Sequence, residues 1–157
     1  MTYIELLRKT RGFAPKGKVV GIDPGETTGV AIFLDSTFVS CEQLKTKEMP
    51  LAAATMEQYL RYNKPDVIVM EAYRIYNWKT RSHANSDVHT LRLIGAIQYI
   101  AFLMEVPVVF QGAGEGKGFC TNEKLEEWGF YSAAKRHAMD ALRHICHYLL
   151  FNKEIKS

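Results

Sequence analysis

Cysteine is scarce in this chain: three in 157 residues, Cys41, Cys120 and Cys146, no two of them close together. So few and so scattered, they cannot build a disulfide framework, and they offer no Cys-x-x-Cys pair for zinc. They fit a chain kept reduced in the cytoplasm. Long apolar runs are missing too. The greasiest stretch, residues 93–110, is broken by Gln98, Glu105 and Pro107, so nothing approaches the roughly 20 apolar residues of a membrane span. The opening residues lack the basic, apolar and small-residue order of a signal peptide. Excess charge is small as well. Twenty basic residues against seventeen acidic ones leave +3, which by itself declares no nucleic-acid binder. What remains, 47% hydrophobic and 24% charged, is ordinary globular composition and excludes wholesale disorder. At this length one domain is expected.

The charge is unevenly placed. Between Tyr73 and Arg92 lie Arg74, Lys79, Arg81 and Arg92 against the single acid Asp87, so this segment holds the whole chain's excess. Tyr73, Tyr76 and Trp78 are interleaved with these cations. That mixture suits phosphates and unpaired bases, and an irregular stretch of this length inside a small domain is often functional.

Periodicity and punctuation predict a helical arm over residues 1–17 and strands over 18–23, 28–34 and 37–44. A helix over 50–62 then leads to a strand over 66–71, continuously apolar and therefore covered on both faces. A helix over 87–104, a strand over 107–110, a short helix over 122–128 and an amphipathic helix over 134–151 follow. The strand–helix–strand order implies parallel pairing, and the opening hairpins imply antiparallel neighbours. The expected fold is α/β, a mixed five-stranded sheet flanked by helices on both faces.

Acids close two of the apolar strands: Asp23 after Val19-Val20-Gly21-Ile22, and Glu71 after Val67-Ile68-Val69-Met70. Sites in such sheets collect beyond the carboxyl ends of the strands. Asp23 could equally cap its own turn, and Glu71 could pair with Arg74. On the last helix His137 and Asp140 share a face, opposite a core stripe of Ala138, Ala141, Leu142, Ile145 and Leu149. An exposed face whose acid pairs with Arg136 or Arg143 has the same pattern. His144 and His147 read as its continuation. Should the three carboxylates and the imidazole converge, they need cations. Hard oxygen donors favour Mg²⁺ or Mn²⁺, and two such ions ~4 Å apart suit phosphodiester hydrolysis.

Three segments, Gly21-Ile22-Asp23-Pro24-Gly25-x-x-x-Gly29, Val67-Ile68-Val69-Met70-Glu71 and His137-x-x-Asp140-Ala141, resemble in order and spacing the RuvC-like Holliday junction resolvases of the ribonuclease H-like superfamily. The compact phage and prophage branch is the most similar, through Glu71-x-Tyr73-Arg74-x-Tyr76-x-x-Lys79 and Lys135-Arg136-His137. The resemblance covers about residues 18–150. It implies a single nuclease domain over 1–157, with an N-terminal arm at 1–17 and a core at about 18–151. It implies Asp23, Glu71 and Asp140 as ligands of two Mg²⁺ ions, with Mn²⁺ as substitute, and His137 either as a ligand or positioning water and phosphate. The implied activity is metal-dependent cleavage of branched DNA, leaving 5′-phosphate and 3′-hydroxyl ends. Tyr73, Arg74, Tyr76, Trp78, Lys79, Arg81, Lys117 and Arg136 become the expected DNA contacts.

The helix at 91–104 resembles the family's dimer helix. From Leu93 to Met104 only Gly95 and Gln98 are not hydrophobic, so one face can cover the sheet and another a second copy, giving a homodimer. Residues 112–118 do not make a nucleotide loop, because the glycine spacing fails and Gly118 follows Lys117 where Ser or Thr should stand. They read instead as a mobile glycine-rich loop that carries Lys117 toward a phosphate, a lysine the resemblance places near the catalytic centre. Three other functions compete. One is a related nuclease of DNA packaging or RNA–DNA hybrids. Another is a junction-binding module that does not cut. The third is an actin-like ATP-binding domain, suggested by Gly21-Ile22-Asp23-Pro24-Gly25-Glu26-Thr27.

Overall fold

The computed structural model describes residues 1–72 and 84–157. Strands β1 (Lys18–Asp23), β2 (Thr27–Leu34) and β3 (Thr37–Lys45) form an antiparallel meander, and α2 (Leu51–Asn63) then crosses to β4 (Val67–Glu71). Helix α3 (Ala84–Leu103) precedes β5 (Val108–Gln111). Three further helices close the chain: α4 (Ala113–Phe119), α5 (Asn122–Glu127) and α6 (Arg136–Phe151). The sheet order is β3-β2-β1-β4-β5, with β4 parallel to both β1 and β5. The expected mixed five-stranded sheet is present.

Strand alternation divides the core in two. Val20, Ile22, Ile68 and Met70 point to one face, where α2 and α3 cover them with Met56, Leu60, Leu93 and Ile97. Val19, Ala31, Phe33 and Val69 point to the other, under α6 with Ala141, Leu142, Ile145 and Leu149. Strands β1, β2 and β4 therefore bury both faces, as a continuous apolar run requires, while β3 is a largely exposed edge strand.

The arm at the N-terminus is part of this core rather than outside it. Helix α1 (Tyr3–Arg11) starts on a capping box, Thr2 with Glu5, and ends at Gly12 in the left-handed conformation (φ 84°). Its Tyr3 and Leu7 are buried against α6, and the Tyr3 hydroxyl donates to the Cys146 carbonyl at 2.7 Å. Arg11 donates to the carbonyls of Leu149 and Asn152 at the C-terminal end of α6, where carbonyls lack helical partners.

Residues 113–119 correct an expectation: the glycine-rich stretch is helix α4, not a loop. Glycine costs helix propensity, but packing against α6 outweighs that cost. Gly116 is buried there, and a Cβ on it would lie 3.0 Å from His144 Nδ1.

Candidate active site

Asp23 and Glu71 are the last residues of neighbouring parallel strands paired as Ile22↔Met70. By strand parity both fall on the α6 face, in line with Val19 and Gly21, and with Val67 and Val69. Gln111 ends β5 opposite Glu71 on the same face. Three strand-end side chains thus stand in a row.

Helix α6 lies across that row at very short range. A Cβ on Gly29 would lie 1.9 Å from the His137 carbonyl oxygen, and one on Gly21 would lie 2.5 Å from that of Ala141. Gly21 and Gly29, the first and last glycines of the first motif, are therefore contact points for the helix. Strand β3 holds the helix start: Gln43 Oε1 accepts from the His137 N–H at 2.9 Å, and Lys135 Nζ donates to the Cys41 carbonyl at 3.0 Å. Behind Asp23, Thr46 ties the turn down. Its hydroxyl donates to the Gly25 carbonyl at 2.7 Å and lies 2.6 Å from the Thr28 hydroxyl.

With α6 seated this way, its polar stripe meets the strand ends. His137 Nδ1 is 3.4 Å from Asp23 Oδ2, and Asp140 pairs with Arg143 at 2.8 Å. Lys117, reaching over from α4, stands 3.5 Å from Glu71 and 3.8 Å from Asp140. Residues far apart in sequence, Asp23, Glu71, Lys117, His137 and Asp140, are brought together. Arg136 lies beside them in a cleft of about 400 Å³ that Lys117, Asn122, Tyr131, Ser132, Asp140 and Arg143 also line. Two larger cavities, one behind the N-terminal ends of β1 and β4 and one between β3 and α2, do not touch the acids. The expected contacts Tyr73, Arg74, Tyr76, Trp78, Lys79 and Arg81 lie outside the described residues.

Among the described residues no three acids, histidines or cysteines already surround a single point as an ion's ligands would. The carboxylates engage Arg143, Lys117 and His137. The electrostatics nevertheless ask for more positive charge. Burial and then the charge of Asp140 push the Asp23 carboxyl up to about 6, against the partial relief of His137 and Lys117. A hard divalent cation among these oxygens would relieve that strain, so the donor set fits Mg²⁺ or Mn²⁺. Glu71 is shifted the other way. Its hydrogen bond with His144, helped by Lys117, holds it below its ordinary value despite partial burial.

His144 and Gln111 are what sequence reasoning missed. His144 does not continue an exposed face. It is fully buried, with Nε2 3.3 Å from Glu71 Oε2 and Nδ1 2.9 Å from the Gln111 carboxamide. The signals were available: position 144 continues the 137–140 stripe at helical spacing, and Gln111 closes an apolar strand as Asp23 and Glu71 do. His147 is half-buried against Phe151, with its imidazole pushed toward neutrality by burial.

No family model and no curated protein matches the chain. Solved structures do. RuvC of Thermus thermophilus, in complex with a Holliday junction substrate, superposes with a TM-score of 0.63 and 21% identity over 85% of this chain and 92% of that one. The yeast mitochondrial Holliday junction resolvase gives 0.59 and 13% over 93% and 86%. The fowlpox virus Holliday junction resolvase gives 0.53 and 15% over 84% and 96%. The chain has the ribonuclease H-like α/β fold of RuvC and other Holliday junction resolvases.

Proposed function

We propose that this chain is a divalent-metal-dependent endonuclease that resolves four-way DNA junctions, built as a single nuclease domain. The observation that carries the reading is the meeting of Asp23, Glu71 and Asp140 beyond the ends of β1 and β4, beside a cleft holding Lys117 and Arg136. In this reading Asp23, Glu71 and Asp140, with His137, hold two Mg²⁺ ions. When bound, the ions supply an activated water and stabilise the leaving oxygen, so that hydrolysis leaves 5′-phosphate and 3′-hydroxyl ends.

The protein's part is to hold and to aim. Arg143 keeps Asp140 turned toward the site, and His137 holds Asp23. Lys117 is half exposed and, once the acids have cations, is free to meet the scissile phosphate. Arg136, at the edge of the cleft, meets a neighbouring phosphate. Tyr73, Arg74, Tyr76, Trp78, Lys79 and Arg81 complete the DNA surface in this reading, the aromatics stacking on unpaired bases at the branch. The substrate class also supports a cytoplasmic setting, where Cys41, Cys120 and Cys146 stay free thiols.

Paired cuts across a four-fold branch need two sites related by a two-fold axis, so the working unit is a homodimer. Helix α3 supports this. Leu93, Ile97 and Ile100 are buried, while Val88, Leu91, Tyr99 and Phe102 form a second apolar stripe, Tyr99 63% and Phe102 75% exposed. Gly95 within that stripe opens on empty space, where a symmetry-related helix can approach closely.

A four-way junction of synthetic strands tests the function. Symmetric paired nicks are expected in Mg²⁺ and none in chelator, with Asp23→Asn binding the junction uncut and linear duplex spared. A junction left intact in both Mg²⁺ and Mn²⁺ overturns the nuclease reading.

A further inference from the structure

His144 is a polar side chain with no route to water, and each of its ring nitrogens has one assigned neighbour. Of the two orientations of the Gln111 carboxamide, one satisfies both its ends. Its nitrogen then donates to the His144 carbonyl at 3.1 Å and to His144 Nδ1 at 2.9 Å, while its oxygen accepts from the Tyr148 N–H at 3.2 Å. An amide nitrogen can only donate, so Nδ1 must accept. A neutral imidazole so placed carries its hydrogen on Nε2, which faces Glu71 Oε2 at 3.3 Å. Gly116 of α4 packs over the ring, where a Cβ would lie 3.0 Å from Nδ1. Strand register adds a further constraint, since Gln111 is paired with Glu71 across the β4–β5 ladder.

We propose that Gln111 and His144 form a buried relay, anchored on the α6 backbone, that aims the Glu71 carboxylate and sets its affinity for a divalent ion. His144 is a positioning residue acting through Glu71, and the inference rests on the reading of Glu71 as a metal ligand. A glutamate has three rotatable bonds, and ordering them at the moment of binding costs affinity. Lys117 is half exposed at the end of a long flexible stem, 3.5 Å from that carboxylate, whereas a buried ring donates along one direction.

Two measurements on the full chain test this. In protein labelled with ¹⁵N in its histidine rings, nitrogen shifts should show His144 with a bare Nδ1 and a protonated Nε2. A hydrogen on Nδ1 overturns the relay without recourse to any variant. Calorimetric titration with Mn²⁺ alone, without DNA, reads the consequence. His144→Leu should weaken Mn²⁺ binding by about 10–100-fold, the range typical of partners that orient metal ligands. His144→Gln, which keeps an N–H near the place of Nε2, should restore binding to within a few-fold of wild type. In a Glu71→Gln background His144→Leu should cost little more. Wild-type affinity in His144→Leu, with Glu71→Gln still impaired, overturns the relay and leaves the metal reading standing. Wild-type Mn²⁺ affinity in Glu71→Gln overturns both.

Discussion

Asp23→Asn should make the metal-free protein more stable, because the native fold holds this carboxylate at a cost. The Asp23 side chain is only 19% exposed, and its carboxyl is lifted from 3.8 to about 6, chiefly by burial and then by Asp140. Below about pH 3.8 the group is protonated whether the chain is folded or not, and no penalty arises. Between there and about pH 6 the folded chain keeps a proton that the unfolded chain has released, so rising pH weakens folding. Above about pH 6 the full cost stands, on the order of 3 kcal/mol. Asparagine has the same shape, keeps an acceptor for His137 and carries no charge. At pH 8 in chelator the variant should therefore gain about 2–3 kcal/mol, or roughly 5–10 °C in thermal midpoint for a chain of this size. At pH 4 most of the gain should vanish. Adding Mg²⁺ at about a hundred times its dissociation constant stabilises the wild type by close to 3 kcal/mol, so the gap should close or reverse. Urea and thermal unfolding at pH 4, 6 and 8, each with chelator and with Mg²⁺, supply the comparison. A wild type as stable as Asp23→Asn at pH 8 in chelator refutes the reasoning, as does a gap that ignores both pH and metal.

Gly29→Ala should destabilise by about 3 kcal/mol or push the start of α6 off the sheet, since its Cβ would overlap the His137 carbonyl. Thermal unfolding paired with junction cleavage checks this, and a stable, active variant contradicts the close seating of the helix. Phe102→Asp should leave stability within about 0.5 kcal/mol while converting a dimer to monomers in sedimentation, because the side chain is 75% exposed. A dimer that survives the substitution moves the interface off α3. Lys117→Ala should reduce cleavage more than junction binding and lower the salt slope of binding by about one phosphate contact. An unchanged slope removes Lys117 from the DNA.

Much of this architecture was legible because buried strands seldom end in acids. Asp23 and Glu71 stood out at the close of apolar runs, and the Ala138–Leu149 stripe placed His137 and Asp140 on the other face of α6. The helix at 113–119 was not legible, since four glycines within residues 112–118 argue locally against helix and only contact with α6 outweighs that. His144 was hidden for a related reason. Its position on the stripe is visible, but its burial depends on α4 lying over it, a tertiary fact with no local mark. Gln43 carries no signal at all on strand β3. Its role arises only from where α6 begins. The N-terminal helix falls outside the sequence motifs that resemble the resolvases, yet Tyr3 and Leu7 sit in the core.

The central claim is that carboxylates far apart along the chain come together to hold divalent ions. Anomalous scattering from crystals soaked in Mn²⁺ tests it most directly. The account predicts manganese among Asp23, Glu71 and Asp140, with the Lys117 ammonium displaced from between the last two. Manganese bound elsewhere, or none held by Asp23, would contradict it.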